Sequence, residues 1–178
     1  YSGGANGTRV NSAGVIVAAT TPRFDYNPVT LAARGLLVEE ARTNLLQRSA
    51  EIDNAYWFKD NSTITANALT APDGTVAADK LLETTANTTH GISTAATVTI
   101  TAGGAYTATC YYKAAERSFV RLQFNNAAFS NGVQAEYDLS LGTVAGSRAF
   151  GTATLGTVSI TAAGGGWYRC SISGIVDA

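Results

Sequence analysis

The chain has 178 residues, enough for one well-buried core, and only 14% of them are charged, giving a formal net charge of −1. That balance argues against electrostatic attraction to nucleic acid or to an anionic membrane surface, so neither is expected as a partner. No apolar run approaches the roughly 18 residues of a membrane-spanning helix.

Thr, Val, Ala and Gly are abundant and Lys plus Arg number 12, a composition that favours pleated strands and short turns over helices. The sequence opens at Tyr1 and holds no methionine, so it is expected to be a piece of something longer. Taken in chain order, the first pattern is a β-hairpin of Thr8–Val10 and Val15–Ala19 turning at Asn11 to Gly14. Two prolines, Pro22 and Pro28, then forbid a long helix. "RGLLVEEARTNLL" lacks clean helical periodicity and reads as strand followed by turn. Residues 1–44 are therefore expected to form an arm or connector, and residues 45–178 the main domain.

From Leu45 onward short strands alternate with turn signals. The expected strands are Thr63–Thr70, Ala78–Thr84, His90–Ile100, Ala105–Ala115, Ser118–Asn125, Val133–Ser140, Gly156–Thr161 and Trp167–Val176. Between them stand "APDGT", "TAGG", "NNAAFSNG", "SLGT" and "AAGGG". About eight or more antiparallel strands at this spacing predict an all-β fold, a β-sandwich of the jelly-roll kind with an N-terminal hairpin arm.

Period-two alternation assigns faces. Tyr106, Ala108, Cys110 and Tyr112 point inward, as do Val120, Leu122 and Phe124, and Tyr168, Cys170 and Ile172. The outward sets hold Tyr111 and Lys113, then Phe119, Arg121, Gln123 and Asn125, then Trp167 and Arg169. Aromatic rings beside amide and guanidinium groups are what sugar recognition needs, because a pyranose face stacks on a ring while its hydroxyls need fixed donors and acceptors. Both cysteines fall among inward positions, and buried free thiols are the default reading, with their pairing left open.

Groups for catalysis are sparse. One histidine, His90, rules out a His-based metal cluster, two cysteines rule out a zinc site of three or four thiolates, and no GxSxG elbow is present. Glu136 and Asp138 share a strand face at roughly 7 Å, near the spacing of an inverting glycosidase pair. Solvated charges are the simpler account of them, and no enzymatic activity is expected.

The run "PRFDYNPVTLAARGLLVEEARTNLLQRSAEIDNAYW" resembles a segment of tailed-bacteriophage structural proteins and prophage tail appendages. "TITANALTAPDGTVAADKL", "YYKAAERSFVRLQF" and "GGGWYRCSISG" are similar to the jelly-roll domain that follows it there, of the carbohydrate-binding-module type. The resemblance spans about Arg23 to Gly174. It implies a non-catalytic module of a virion or otherwise extracellular protein, binding polysaccharide or oligosaccharide beside other domains or copies of a larger tail protein. Trp57 and Trp167 match the family's recurrent tryptophans. With Tyr111, Lys113, Arg121, Gln123 and Arg169 they make up the expected ligand-binding set. Such modules often hold a structural calcium near the chain ends, to which Asp177, Glu51 and Asp53 are the available carboxylates, but the set is thin and no metal or other cofactor is assigned. The alternative reading is a structural or oligomerisation module of a tail fibre without glycan binding.

Overall fold

The computed structural model describes residues 8–18, 23–37 and 42–176. Within them the fold is all-β: the strands pair antiparallel and there is no helix, as the Thr- and Val-rich composition implies. Two compact units are present, the first comprising Tyr1–Asn11, Val15–Asp25 and Arg34–Thr99, the second Ser12–Gly14, Tyr26–Ala33 and Ile100–Ala178. The sequence places a boundary at 44–45, whereas the longest segments of the two units part at Thr99 and Ile100.

The expected hairpin forms β1 (Thr8–Val10) and β2 (Ile16–Ala18). Asn11 closes it, its backbone N–H donating to the Val15 carbonyl at 2.9 Å while its side-chain oxygen accepts the Val15 N–H at 3.0 Å. A second short pair joins β3 (Phe24–Tyr26) to β4 (Ala33–Leu36), so Arg34 to Leu36 of "RGLLVEEARTNLL" do enter a strand; Val38 to Ala41 lie outside the described residues.

The first unit continues with β5 (Trp57–Asp60), β6 (Ser62–Thr70), β7 (Val76–Glu83) and β8 (Gly91–Thr94), paired as β5–β8 and β6–β7. "APDGT" makes the β6–β7 turn as expected. The Asp73 carboxylate accepts the Thr75 N–H at 2.9 Å and its hydroxyl at 2.7 Å, and Gly74 takes φ +83° without a Cβ penalty. The strand expected over His90–Ile100 is shorter, because the ladder with its partner β5 runs only from Asp60 opposite Gly91 to Trp57, where β5 begins, opposite Thr94.

The second unit holds β9 (Ala105–Lys113), β10 (Phe119–Asn125), β11 (Gly132–Asp138), β12 (Thr143–Phe150), β13 (Thr154–Ala162) and β14 (Trp167–Ile175). They form two three-stranded sheets, β10–β11–β12 and β13–β14–β9. Val133, Ala135 and Tyr137 of β11 pack against Cys170 and Ile172 of β14, making a small sandwich core. Ala108, Tyr112, Val120, Leu122, Phe124 and Tyr168 pack around it, which is the inward face read from period two. Each large side chain so buried contributes roughly 1.5–3 kcal/mol. The pairings leave the jelly-roll order as an expectation. β12 escaped the sequence reading because "TVAGSRAF" has little β-branched character; pairing with β11 recruits it, with a bulge at Glu136/Tyr137.

Candidate functional site

The seven expected binding residues fall in three places. Trp57 lies in the first unit; Tyr111, Lys113, Trp167 and Arg169 share the outer face of β13–β14–β9; Arg121 and Gln123 lie on the outer face of β10–β11–β12. Strand alternation found the six outward positions of the second unit, and the resemblance supplied Trp57, but alternation carries no information on which sheet a strand joins.

The β13–β14–β9 face is built in rows. Trp167 stands opposite Lys113, and Arg169 stands between Tyr111 of β9 and Thr161 of β13. The next row is Ser159, Ser171 and Thr109, and beyond it Ser173 faces Thr107. One end is thus aromatic and cationic and the rest is a hydroxyl ladder, with Thr109 and Ser171 hydrogen-bonded at 3.2 Å. Three consecutive glycines place Trp167 at the head of β14. Gly164, Gly165 and Gly166 take φ of +84°, +58° and +81°, a turn that side chains would strain, and the Trp167 N–H donates to the Gly164 carbonyl at 2.9 Å. A Cβ at Gly166 would sit 3.4 Å from Cε of Lys113, so the lysine stem runs beside the turn.

Burial pushes the Tyr111 phenol above its ordinary value of 10.0, while the Arg169 guanidinium, which donates to it, acts in the opposite direction. Among the described residues neither Lys113 nor Arg169 has a carboxylate partner. The face therefore presents two cations and two partly exposed rings.

The opposite outer face is internally matched. Arg121 donates from Nη2 and Nε to one oxygen of Glu136 at 2.7 and 3.2 Å, Arg148 donates to Gln134 at 3.3 Å, and Gln123 donates to Asn125 at 2.8 Å. Arg121, Gln134, Glu136 and Arg148 line a shallow depression of about 340 Å³ together with Gly146 and Ser147. Asp138 differs from the solvated charge expected: it is buried and accepts the Ser140 hydroxyl, the Ser140 N–H at 2.8 Å and the Leu141 N–H at 3.2 Å. Glu136 serves Arg121 and Asp138 serves a turn, so each carboxylate of the expected pair has its own local partner.

In the first unit, Trp57 donates its indole N–H to the Arg48 carbonyl at 2.9 Å and meets Tyr56 edge-on, 5.1 Å between ring centroids. Beside it Lys59 donates to the carbonyls of Asp53, Asn54 and Trp57 at 3.0, 2.6 and 2.9 Å, gathering the loop that precedes β5. Asp79, which the sequence did not single out, accepts the N–H groups of Ile52, Asp53 and Asn67 at 3.1, 3.3 and 2.8 Å. His90 donates Nδ1–H to the Asn61 carbonyl at 2.7 Å.

Of the carboxylates considered for calcium, Glu51 faces Arg48 at 3.4 Å and Asp177 lies outside the described residues. No group of three or more His, Cys, Asp or Glu gathers among the described residues. Both cysteines are free thiols, directly opposite each other in the β9–β14 register. Comparison with known proteins finds no family model that matches the chain and no curated protein that matches it.

Proposed function

We propose that the chain is a non-catalytic carbohydrate-binding module of a phage-derived structural protein, taking polysaccharide on the outer face of β13–β14–β9. The supporting observation is the register pairing of Trp167 with Lys113 and of Tyr111 with Arg169 on one sheet face. Two rings offer stacking surface to sugar rings, and the serine and threonine rows beside them offer hydroxyl partners to the next residues of a chain. Two cations without carboxylate partners favour acidic sugars, because a carboxylate or sulfate on the ligand supplies the missing charge through charge-assisted hydrogen bonds. Arg121, Gln123 and their neighbours already spend their hydrogen bonds on one another, which disfavours the opposite face. In this reading the protein works outside the cell, on the virion.

Affinity electrophoresis through gels loaded with acidic or neutral polysaccharides tests the proposal. Retardation by an acidic class, abolished by Trp167→Ala together with Arg169→Ala and untouched by Arg121→Ala, is the expected result. Retardation lost only with Arg121→Ala would move the site to the other face. No retardation by any polysaccharide would overturn the proposal.

A further inference from the structure

The only two cysteines of the 178-residue chain, Cys110 and Cys170, stand directly opposite each other in the β9–β14 ladder. Cys170 is fully buried in the core beside Ile172. Cys110 is half-buried and shares the inward side of β9 with Ala108 and Tyr112. Its thiol donates only to the Tyr111 carbonyl, at 3.6 Å, a weak bond that is easily given up. Residues directly opposite in an antiparallel pair have Cα atoms about 4.5–5.5 Å apart, inside the roughly 4.4–6.8 Å that a disulfide spans. Joining the two sulfurs removes two hydrogens and adds no atom, so a packed core need not expand to hold the bond.

We infer that Cys110 and Cys170 are the site of a cross-strand disulfide, formed when the chain folds in the presence of a small disulfide oxidant, and that folding seals whichever redox state it finds. The Cys110 thiolate attacks one sulfur of an oxidant such as oxidised glutathione and expels one thiolate. The Cys170 thiolate then attacks Sγ of Cys110 in the mixed disulfide and expels the second. Two protein thiols thereby lose two protons and two electrons, and the oxidant becomes two thiols. Cys110 is the entry point because it is the less buried of the two and lies on β9, which pairs only with β14 among the described strands. A strand held by one ladder opens at lower free energy than one held by two. Once β9 is docked, neither an oxidant nor a reducing thiolate reaches the sulfurs, so exchange in either direction requires the strands to part. The bond lies on the inner side of the sheet between the Tyr111–Arg169 and Thr109–Ser171 rows of the outer face, and it fixes their register whether or not that face takes a glycan.

The full chain, unfolded and reduced, is refolded in parallel with a mixture of oxidised and reduced glutathione and with reductant alone. Both samples are then alkylated in denaturant and mapped by mass spectrometry without reduction. The glutathione sample should yield one joined pair of peptides carrying Cys110 and Cys170, and the other sample two alkylated cysteines. Because the bond closes a loop of about 60 residues, the linked protein should melt on the order of 5 °C or more above the reduced one. Cys110→Ser should remove that difference; if it does not fold, Cys110→Ala takes its place. Oxidised glutathione added after folding should leave both thiols free over the time in which refolding chains oxidise. Two free thiols, glutathione adducts or chains joined to one another after oxidative refolding would overturn the inference, as would a linked protein that melts no higher than the reduced one. Oxidation of the folded protein as fast as of the refolding chain would overturn the sealing.

Discussion

The hydroxyl of Tyr137, in the middle strand of one sheet, donates to the backbone carbonyl of Ser171, in the middle strand of the other, at 2.8 Å. This bond ties the two layers of the second unit together through a side chain that is itself fully buried. Burial, with the Cys170 thiol beside it, pushes the phenol up to about 12, so it stays a donor at any ordinary pH. Tyr137→Phe keeps the ring but strips the carbonyl of its partner. We expect a loss of about 1–2 kcal/mol, read as a fall in melting temperature of a few degrees. An unchanged melting temperature would mean the bond adds nothing to stability.

The two tryptophans should separate by function. Trp57 gives its indole N–H to a backbone carbonyl and packs against Tyr56, so Trp57→Ala should cost about 2 kcal/mol of stability and leave glycan retardation intact. Trp167→Ala should do the reverse, lowering affinity by on the order of 10-fold or more with little change in melting. Equal loss of binding in both, at constant melting temperature, would contradict this division.

Acid should loosen the β11–β12 turn. The Ser140 hydroxyl holds the Asp138 carboxyl below its ordinary value of 3.8, with the Ser140 and Leu141 amides adding to that effect against desolvation. The folded value lies below the unfolded one, so the contribution is complete above the ordinary value and is lost as pH falls through the folded one. Asp138→Asn should therefore be less stable than the parent at neutral pH, with the gap closing as pH falls through and below the ordinary carboxylate range. Urea titrations across that window check it, and a gap that does not change with pH would refute it.

The thiols should be inert while the chain is folded. Burial, with Cys110 nearby, pushes Cys170 up to about 12 from 9.0, and burial pushes Cys110 up too. Since the raised values favour the neutral form, this stabilisation is full below the ordinary thiol value and fades as pH rises toward the folded one. Iodoacetamide at about pH 8 should modify both cysteines at least 100-fold more slowly in the folded protein than in denaturant. Comparable rates in the two states would place at least one thiol in solvent.

The all-β class, the β1–β2 hairpin, the "APDGT" turn and the inward faces of β9, β10 and β14 were determined by the sequence alone, since turn chemistry and period-two alternation act between near neighbours. Three things were decided only in three dimensions. β12 became a strand because β11 needed a second partner, and its own composition gives no such signal. Trp57 proved to be committed to a backbone carbonyl nine residues away, which its aromatic character does not reveal. The candidate surface divided because alternation says that a side chain points outward but not which neighbouring strand lies beside it. Tyr111 meets Arg169, and Arg121 meets Glu136, only once the register between strands far apart in sequence is set, and that register follows from the burial of Val133, Tyr137, Cys170 and Ile172 in one core.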